Sequence, residues 1–249
     1  MSEGPLVSII TVVYNDAAHI PTTIESVREQ TYDGIEHIIV DGASTDGTLE
    51  VINRFGDRLK VISEPDRGIY DAMNKGLGLA TGDYVWYLNA GDRIYERDTV
   101  EKMVSLMQDG PDVVYGGTMI IDEHGRAIGD RRLKPPARLS WKSFRQGMIV
   151  CHQALVVRRA LAEEYDPAYR IAGDIDWAIR CTRKADTILN SGLVLCSFME
   201  GGLSGTFIRQ GLKERFRIMS RFYGLIPTLL RHFVFGVRLT NYYLKHRRI

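Results

Sequence analysis

Apolar positions recur along the first half of the chain in two alternating periods. Leu6–Tyr14 (LVSIITVVY) is a β-branched run with almost no polar alternation, the pattern of a strand buried on both faces. Ile20, Ile24 and Val27 then fall on one helical face, with Asn15 or Asp16 placed to cap it. Glu36–Val40 (EHIIV) predicts a second strand, Leu49, Ile52 and Phe55 a short helix, and Lys60–Ser63 a third strand. Ile69, Ala72, Met73, Gly76, Leu77 and Ala80 recur at spacings of three and four and predict a longer helix. Asp83–Leu88 (DYVWYL) is a fourth strand; Val100, Met103, Val104 and Met107 mark another helix, and DVVYG another strand. This order implies an α/β fold: a mostly parallel sheet with helices on both faces.

The second half is less regular. TMIID and AIGD flank Gly125 as a hairpin, and residues 134–147 (KPPARLSWKSFRQG), polar and basic with two prolines, predict a surface loop. ALVVR is a strand, DIDWAIRCTRKA a helix, and TILNSGLVLCSFM strand-like around Asn190–Gly192. From about Phe207 the chain is helical with a break expected at Pro227. Residues 1–206 therefore form one domain and residues 207–249 a helical appendage; no internal repeat is visible.

Composition is that of an ordinary globular chain: 249 residues, 45% hydrophobic and 25% charged. Cys151, Cys181 and Cys196 lack metal-ligand spacing and sit among apolar residues, as buried thiols in a reducing compartment do. The start MSEGPLVSII has no basic segment before its strand pattern, no Asn-x-Ser/Thr acceptor occurs, and no run of about 18 apolar residues is present. A cytoplasmic location is the expectation. Charge changes the picture. From Arg209 to Ile249 there are ten Lys/Arg and one acid, Glu214, leaving 22 Lys/Arg against 30 acids, or −8, for the rest of a chain whose net charge is +1. An acidic body gives no reason to expect nucleic acid. A basic tail interleaved with Phe216, Met219, Phe222, Tyr223, Leu225, Ile226, Leu229, Leu230, Phe233, Val234 and Phe235 suits helices lying on an anionic membrane surface; it equally suits a helix that covers the sheet or joins an oligomer.

Three polar clusters fall at strand ends, where doubly wound sheets bind ligands: Tyr14-Asn15-Asp16, Asp41-Gly42-Ala43-Ser44 and Asn89-Ala90-Gly91-Asp92. DGASTDG carries two acids, two hydroxyls and two glycines; an Asx turn accounts for Asp46, whereas Asp41 is placed to accept from a base N–H. In RGIYDAMNKG, Arg67, Asp71, Asn74 and Lys75 lie off the apolar face. They serve either diphosphate and ribose contact or a solvated face with an Asp71–Lys75 pair. Asp174 opens a helix and, if it faces the crevice, can take a proton from a hydroxyl. Gly-x-Gly-x-x-Gly, a Walker loop and Gly-x-Ser-x-Gly are all absent.

VSIITVVYN, IIVDGASTDGT, RGIYDAMNKGLGLATGDYVWYLNAGD, HQALVVRR and GDIDWAIR, in this order and spacing over about residues 6–205, closely resemble the family-two glycosyltransferases, and most of all the bacterial branch that builds exopolysaccharide, capsule or O-antigen. The resemblance implies a GT-A fold, a nucleotide-diphosphate sugar donor, Mg²⁺ or Mn²⁺, and inversion, with a lipid-linked or growing glycan as acceptor. By position it implies nucleoside contacts from Tyr14 and Asp41 and places Asp71, Asn74 and Lys75 by the ribose and phosphates; Thr11, Asn15, Ser44 and Arg67 are further substrate-binding candidates. LNAGD (88–92) stands where the family has Leu-Asp-x-Asp-Asp, so Asp92 becomes the metal carboxylate and Asn89 its neutral helper. Asp174 becomes the base, with Gly173 replacing the family's Glu. Gly202 and Ser204 fall near the loop over the diphosphate. His152 and Gln153 either line the acceptor side or serve structure. A non-catalytic binding subunit and another nucleotide-dependent α/β transferase, such as a nucleotidyltransferase, are the competing readings. The first draws on the missing acids at 89, 91 and 173; the second needs a phosphate-cradling loop that VVYNDAAHIP does not contain.

Overall fold

The computed structural model describes residues 4–131, 133–201 and 207–233. Nine strands join in one sheet of order β3-β2-β1-β4-β8-β6-β9-β5, with β7 paired to β6. In chain order they are β1 Val7–Val13, β2 Ile35–Asp41, β3 Leu59–Ser63, β4 Tyr84–Tyr87, β5 Arg93–Ile94, β6 Val113–Ile121, β7 Ala127–Asp130, β8 Leu155–Arg158 and β9 Ile188–Met199. The helices are α1 Ile20–Arg28, α2 Thr48–Asn53, α3 Ile69–Leu79, α4 Thr99–Ser105, α5 Gly173–Lys184 and α6 Ile208–Tyr223. Strands β1 to β4, β6 and β9 run one way; β8, β5 and β7 run against them.

Strand β1 is buried along its whole length because both of its faces are covered. Val13 and Ile39 pack under Ile20, Ile24 and Ile52 of α1 and α2. On the opposite face Ile10, Val12, Ile38 and Val40 meet Ala72 and Met73 of α3. The chain thus steps outward from β1 through β2 to β3, then returns through α3 to place β4 on the other side of β1. That reversal opens the crevice between the carboxyl ends of β1 and β4, where ligands of such sheets bind.

Four local expectations change. Asn15 and Asp16 do not cap α1: its N-cap is His19, whose Nδ1 lies 2.5 Å from Asp16 Oδ1. The predicted loop 134–147 contains a 3₁₀ turn, Trp141–Gln146, with a Ser140/Ser143 capping box and a buried Phe144, because one aromatic in a basic stretch is enough to anchor it. DVVYG and TMIID form the single strand β6, which keeps parallel register with β9 through shifts at Gly117, between the Tyr115–Asn190 and Thr118–Cys196 pairs. The break in the tail falls at Gly224 (φ 87°), and Pro227 sits in the first turn of the helix over residues 225–233, where a proline costs no hydrogen bond. Tail and body also share a core, since Ile218 and Met219 of α6 belong to the main apolar cluster. The candidates Gly202, Ser204, Val234 and Phe235 lie outside the described residues. The three cysteines are free and buried, as expected.

Gly76 is the tightest helix–sheet approach: a Cβ there would penetrate Ile10 Cγ2 and lie 3.3 Å from Val40 Cγ2. Helix propensity favours Gly76→Ala by about 1 kcal/mol, but overpacking costs about 1–3 kcal/mol. Gly76→Ala is therefore expected to lower the urea midpoint; an unchanged or higher midpoint would show that α3 packs more loosely on β1.

Candidate active site

The rim at the carboxyl ends of β1 and β2 is stitched by its own polar groups. Asn15, held at φ 50°, donates its backbone N–H to Ser44 Oγ (2.8 Å) and accepts at Oδ1 from Thr45 N–H (2.8 Å). Asp46 Oδ1 accepts from Thr48 N–H at 3.0 Å, and its Oδ2 from Ala17 N–H at 3.1 Å, so the Asx turn forms as expected. Asp41 is fully buried; it accepts from Ser44 N–H and, at 2.6 Å, from Ser63 Oγ. Tyr14 is the exposed member, with 64% of its surface open. Its ring lies over Gly42, where a Cβ would come 3.2 Å from Tyr14 Cδ2. A rigid rim carrying one free aromatic face is suited to stacking a base.

Thr11 does not join this rim. It lies two residues inside β1, fully buried, with Oγ1 3.0 Å from His37 Nε2. Nor is Asn74 free for a ligand: its amide donates to Tyr165 O (2.9 Å) and accepts from Tyr165 N–H (2.7 Å). These bonds hold Tyr165 in a stack between Tyr70 (5.1 Å, 13°) and Trp177 (5.2 Å, 9°). For Asp71 and Lys75 the ion-pair alternative is realised: Asp71 accepts from Arg67 N–H (3.0 Å), and Lys75 lies 2.9 Å from Glu64 and 4.0 Å from Asp71. The Arg67 backbone N–H and side chain hold the Asp71 carboxyl below its usual range, against a weak opposing effect of burial. The Arg67 side chain itself projects into solvent at this rim.

LNAGD is a structural joint. Asn89 O accepts from Asp92 N–H at 3.0 Å, Thr23 Oγ1 donates to Asp92 O at 2.7 Å and accepts from Gly91 N–H at 2.9 Å, and Gly91 (φ 89°) packs against Met199, leaving no space for a Cβ. Asp92 is buried. Its Oδ2 accepts from Gln153 Nε2 (2.9 Å) and its Oδ1 from Met199 N–H (3.0 Å). Burial pushes its carboxyl up to about 6 against those hydrogen bonds and the nearby His152. Both Asp92 oxygens are thus engaged within the protein, and among the described residues no group of three or more His, Cys, Asp or Glu is gathered around a metal position. The Asn89 side-chain oxygen, by contrast, has no partner among the described residues. Gln153 is structural, since its Oε1 accepts from Cys151 Sγ (2.8 Å) and its backbone carbonyl from Trp86 Nε1 (2.7 Å).

Two polar atoms near this joint remain unpaired. Asn89 Oδ1 and His152 Nε2 are both buried without a hydrogen-bond partner, which protein interiors rarely tolerate away from sites that meet a ligand or water. The other ring nitrogen of His152, Nδ1, lies 3.9 Å from Asp174 Oδ2, an ion-pair distance. Asp174 stands in the first turn of α5 with its side chain 23% exposed; its Oδ1 accepts from Ile175 N–H (2.9 Å), and its backbone N–H donates to Tyr70 Oη (3.2 Å). Burial works to raise the Asp174 carboxyl, but His152, Arg215 and the Ile175 N–H outweigh it and hold the acid below the usual carboxylate range. It is ionised at neutral pH, as a base must be.

Gly173 has a steric cause: a Cβ would lie 2.7 Å from the Tyr70 ring. An acid reaches this turn from elsewhere. Glu214 of α6 accepts from the N–H groups of Arg170, Ile171 and Ala172, at 2.9–3.2 Å, just before α5. Sequence reasoning missed Glu214, whose one visible signal was being the single acid in a basic tail. It also missed Tyr70 and Tyr165, which look like ordinary core aromatics.

Residues 8–165 match the family model described as glycosyl transferase family 2. The chain is 35% identical over 229 residues to a PGL/p-HBAD biosynthesis glycosyltransferase of Mycobacterium bovis, covering 88% of this chain and 86% of that protein. It is 34% identical over 211 residues to an uncharacterized glycosyltransferase of Mycobacterium tuberculosis, covering 82% and 78%. Among solved structures, S. aureus TarS 1-349 in complex with UDP-GlcNAc superposes with a TM-score of 0.73 at 19% identity, covering 98% of this chain and 76% of that one. The mannosyltransferase PcManGT from Pyrobaculum calidifontis, solved with GDP-Man and Mn²⁺, gives 0.63 at 23% identity, covering 88% and 65%. The sheet order, the crevice between β1 and β4 and the matched residues lead to one assignment: the chain belongs to glycosyl transferase family 2 and has the GT-A fold.

Proposed function

We propose that the chain transfers a sugar from a nucleoside diphosphate sugar to a hydroxyl of a lipid-linked or growing glycan, in surface polysaccharide synthesis, with inversion at the anomeric carbon. The observation that carries this reading is the placing of Asp174: ionised, partly open, and held at the start of α5 by Tyr70 and Ile175 with His152 beside it. Asp174 takes the acceptor O–H proton. The acceptor oxygen attacks the anomeric carbon, and the bond to the diphosphate breaks with its electron pair leaving on the nucleotide. One displacement inverts the centre.

The other residues orient the partners. Tyr14 offers its ring to the base, and Arg67 is the exposed cation on the nucleotide rim. Glu214 fixes the 170–172 backbone, and so the position from which Asp174 acts. Neighbours of the same fold solved with UDP-GlcNAc and GDP-Man support the donor class, and a relative named for PGL/p-HBAD biosynthesis supports a biosynthetic transfer. Asp174→Asn keeps the shape and removes the base, so turnover is expected to fall by about 10²–10⁴-fold while donor binding, read by calorimetry, persists. Unchanged turnover would end the assignment of Asp174 as the base.

The tail supports a peripheral site of action on the inner face of the plasma membrane. Beyond Gly224, Leu225, Ile226, Leu229, Leu230 and Phe233 are all exposed, Phe233 to 73%, and the sequence from 225 to 249 carries five Lys/Arg and no acid. No helix among the described residues is long and apolar enough to cross a membrane. An apolar stripe beside basic residues suits an anionic interface. Flotation with anionic phosphatidylglycerol vesicles is expected to carry the wild type. It should fail for the triple variant Ile226→Ser, Leu230→Ser, Phe233→Ser, and should weaken as salt rises. Equal flotation of the variant would mean that this stripe covers protein instead.

A further inference from the structure

A separate cleft of about 120 Å³ lies between β6, the segment after β7 and the residues leading into the His152 turn. Leu133, Pro135, Ile149, Val150 and Val194 give it apolar walls. Of its charged residues, Asp130 and Lys134 pair with each other at 3.0 Å. The third, Arg131, is different. Its backbone N–H reaches Thr118 O at 3.4 Å, yet its Nη1 is buried without a hydrogen-bond partner. Cys151 lines the same cleft, and the Arg131 guanidinium works against the upward push that burial gives its thiol.

An unpaired buried guanidinium nitrogen is costly, and the planar fork of arginine matches a carboxylate or a phosphate. The acid next to it in the chain, Asp130, is already paired with Lys134. We propose that this cleft binds an oxyanion, carboxylate or phosphate, attached to an apolar group, with Arg131 as its anchor. Cys151 is followed directly by His152, whose Nδ1 is 3.9 Å from Asp174, so one wall of the cleft leads into the turn beside the proposed base. The oxyanion is therefore carried by the acceptor. That last assignment rests on the transferase reading; the binding does not.

Calorimetry on the full chain tests the site without turnover, using phenyl phosphate, benzoate and uncharged phenol as probes. At least one of the two anions is expected to bind, which also tells phosphate from carboxylate, with phenol weaker by about tenfold or more. Arg131→Gln should remove that advantage. Leu133→Trp, at an exposed position on the rim, narrows the mouth without entering the core and should weaken the same anion; it decides the matter if Arg131→Gln does not fold. Phenol binding as tightly as the anions, both variants binding like the wild type, or no binding of either anion would overturn the proposal. Unchanged turnover in Asp174→Asn would remove only the assignment to the acceptor and leave the oxyanion site standing.

Discussion

The buried carboxylate of Asp92 is the constraint on which the site depends. It lies just past β4, takes a hydrogen bond from Gln153 ahead of β8, and takes another from the last residue of β9. One side chain therefore ties the parallel half of the sheet to its mixed half. Carrying a carboxylate out of water costs several kcal/mol unless hydrogen bonds compensate it. Two bonds compensate it in part, which is why its carboxyl is pushed up to about 6. Holding Gln153 also holds His152, the neighbour that keeps Asp174 ionised.

From this joint the turn that carries Asp174 is built inward. Asn74 clamps Tyr165, Tyr165 stacks between Tyr70 and Trp177, and Tyr70 accepts the N–H of Asp174. Each aromatic pair contributes about 0.5–1.5 kcal/mol beyond the area it buries. The Tyr70 ring occupies the space that a side chain at 173 would need, and Glu214 brings an acid to that turn from α6. The basic tail helix is thus part of the framework around Asp174, and its outer continuation carries the exposed apolar stripe.

The order of the elements was legible because apolar period alone separates β1 from α3: one run is buried on all sides, the other recurs at three and four. The turn after β2 was legible at Asp46, since turn chemistry is local; Asp41, read as an acceptor for a base, closes a local turn onto the Ser44 N–H instead. Thr11 and Asn74 misled because a polar residue at a plausible spacing does not reveal whether its partner lies across the fold; those partners are His37 and Tyr165, the latter 91 residues away. The partners of Asp92 are equally remote, 61 and 107 residues distant. The capping of α1 and the break at Gly224 turned on backbone geometry that several neighbouring residues could have supplied.

Placing Asp92 in the framework rather than in a metal shell is the central claim, and thermal unfolding without nucleotide tests it most directly. Asp92→Asn sets an amide N–H₂ against Gln153 Nε2, a loss of about 1–3 kcal/mol, or several degrees in a chain of this size at about 2–4 °C per kcal/mol. The account predicts the same drop in EDTA and in Mn²⁺, with Mn²⁺ leaving the wild type unmoved. A wild-type melting temperature that rises with Mn²⁺, and does so only when Asp92 is present, would contradict it.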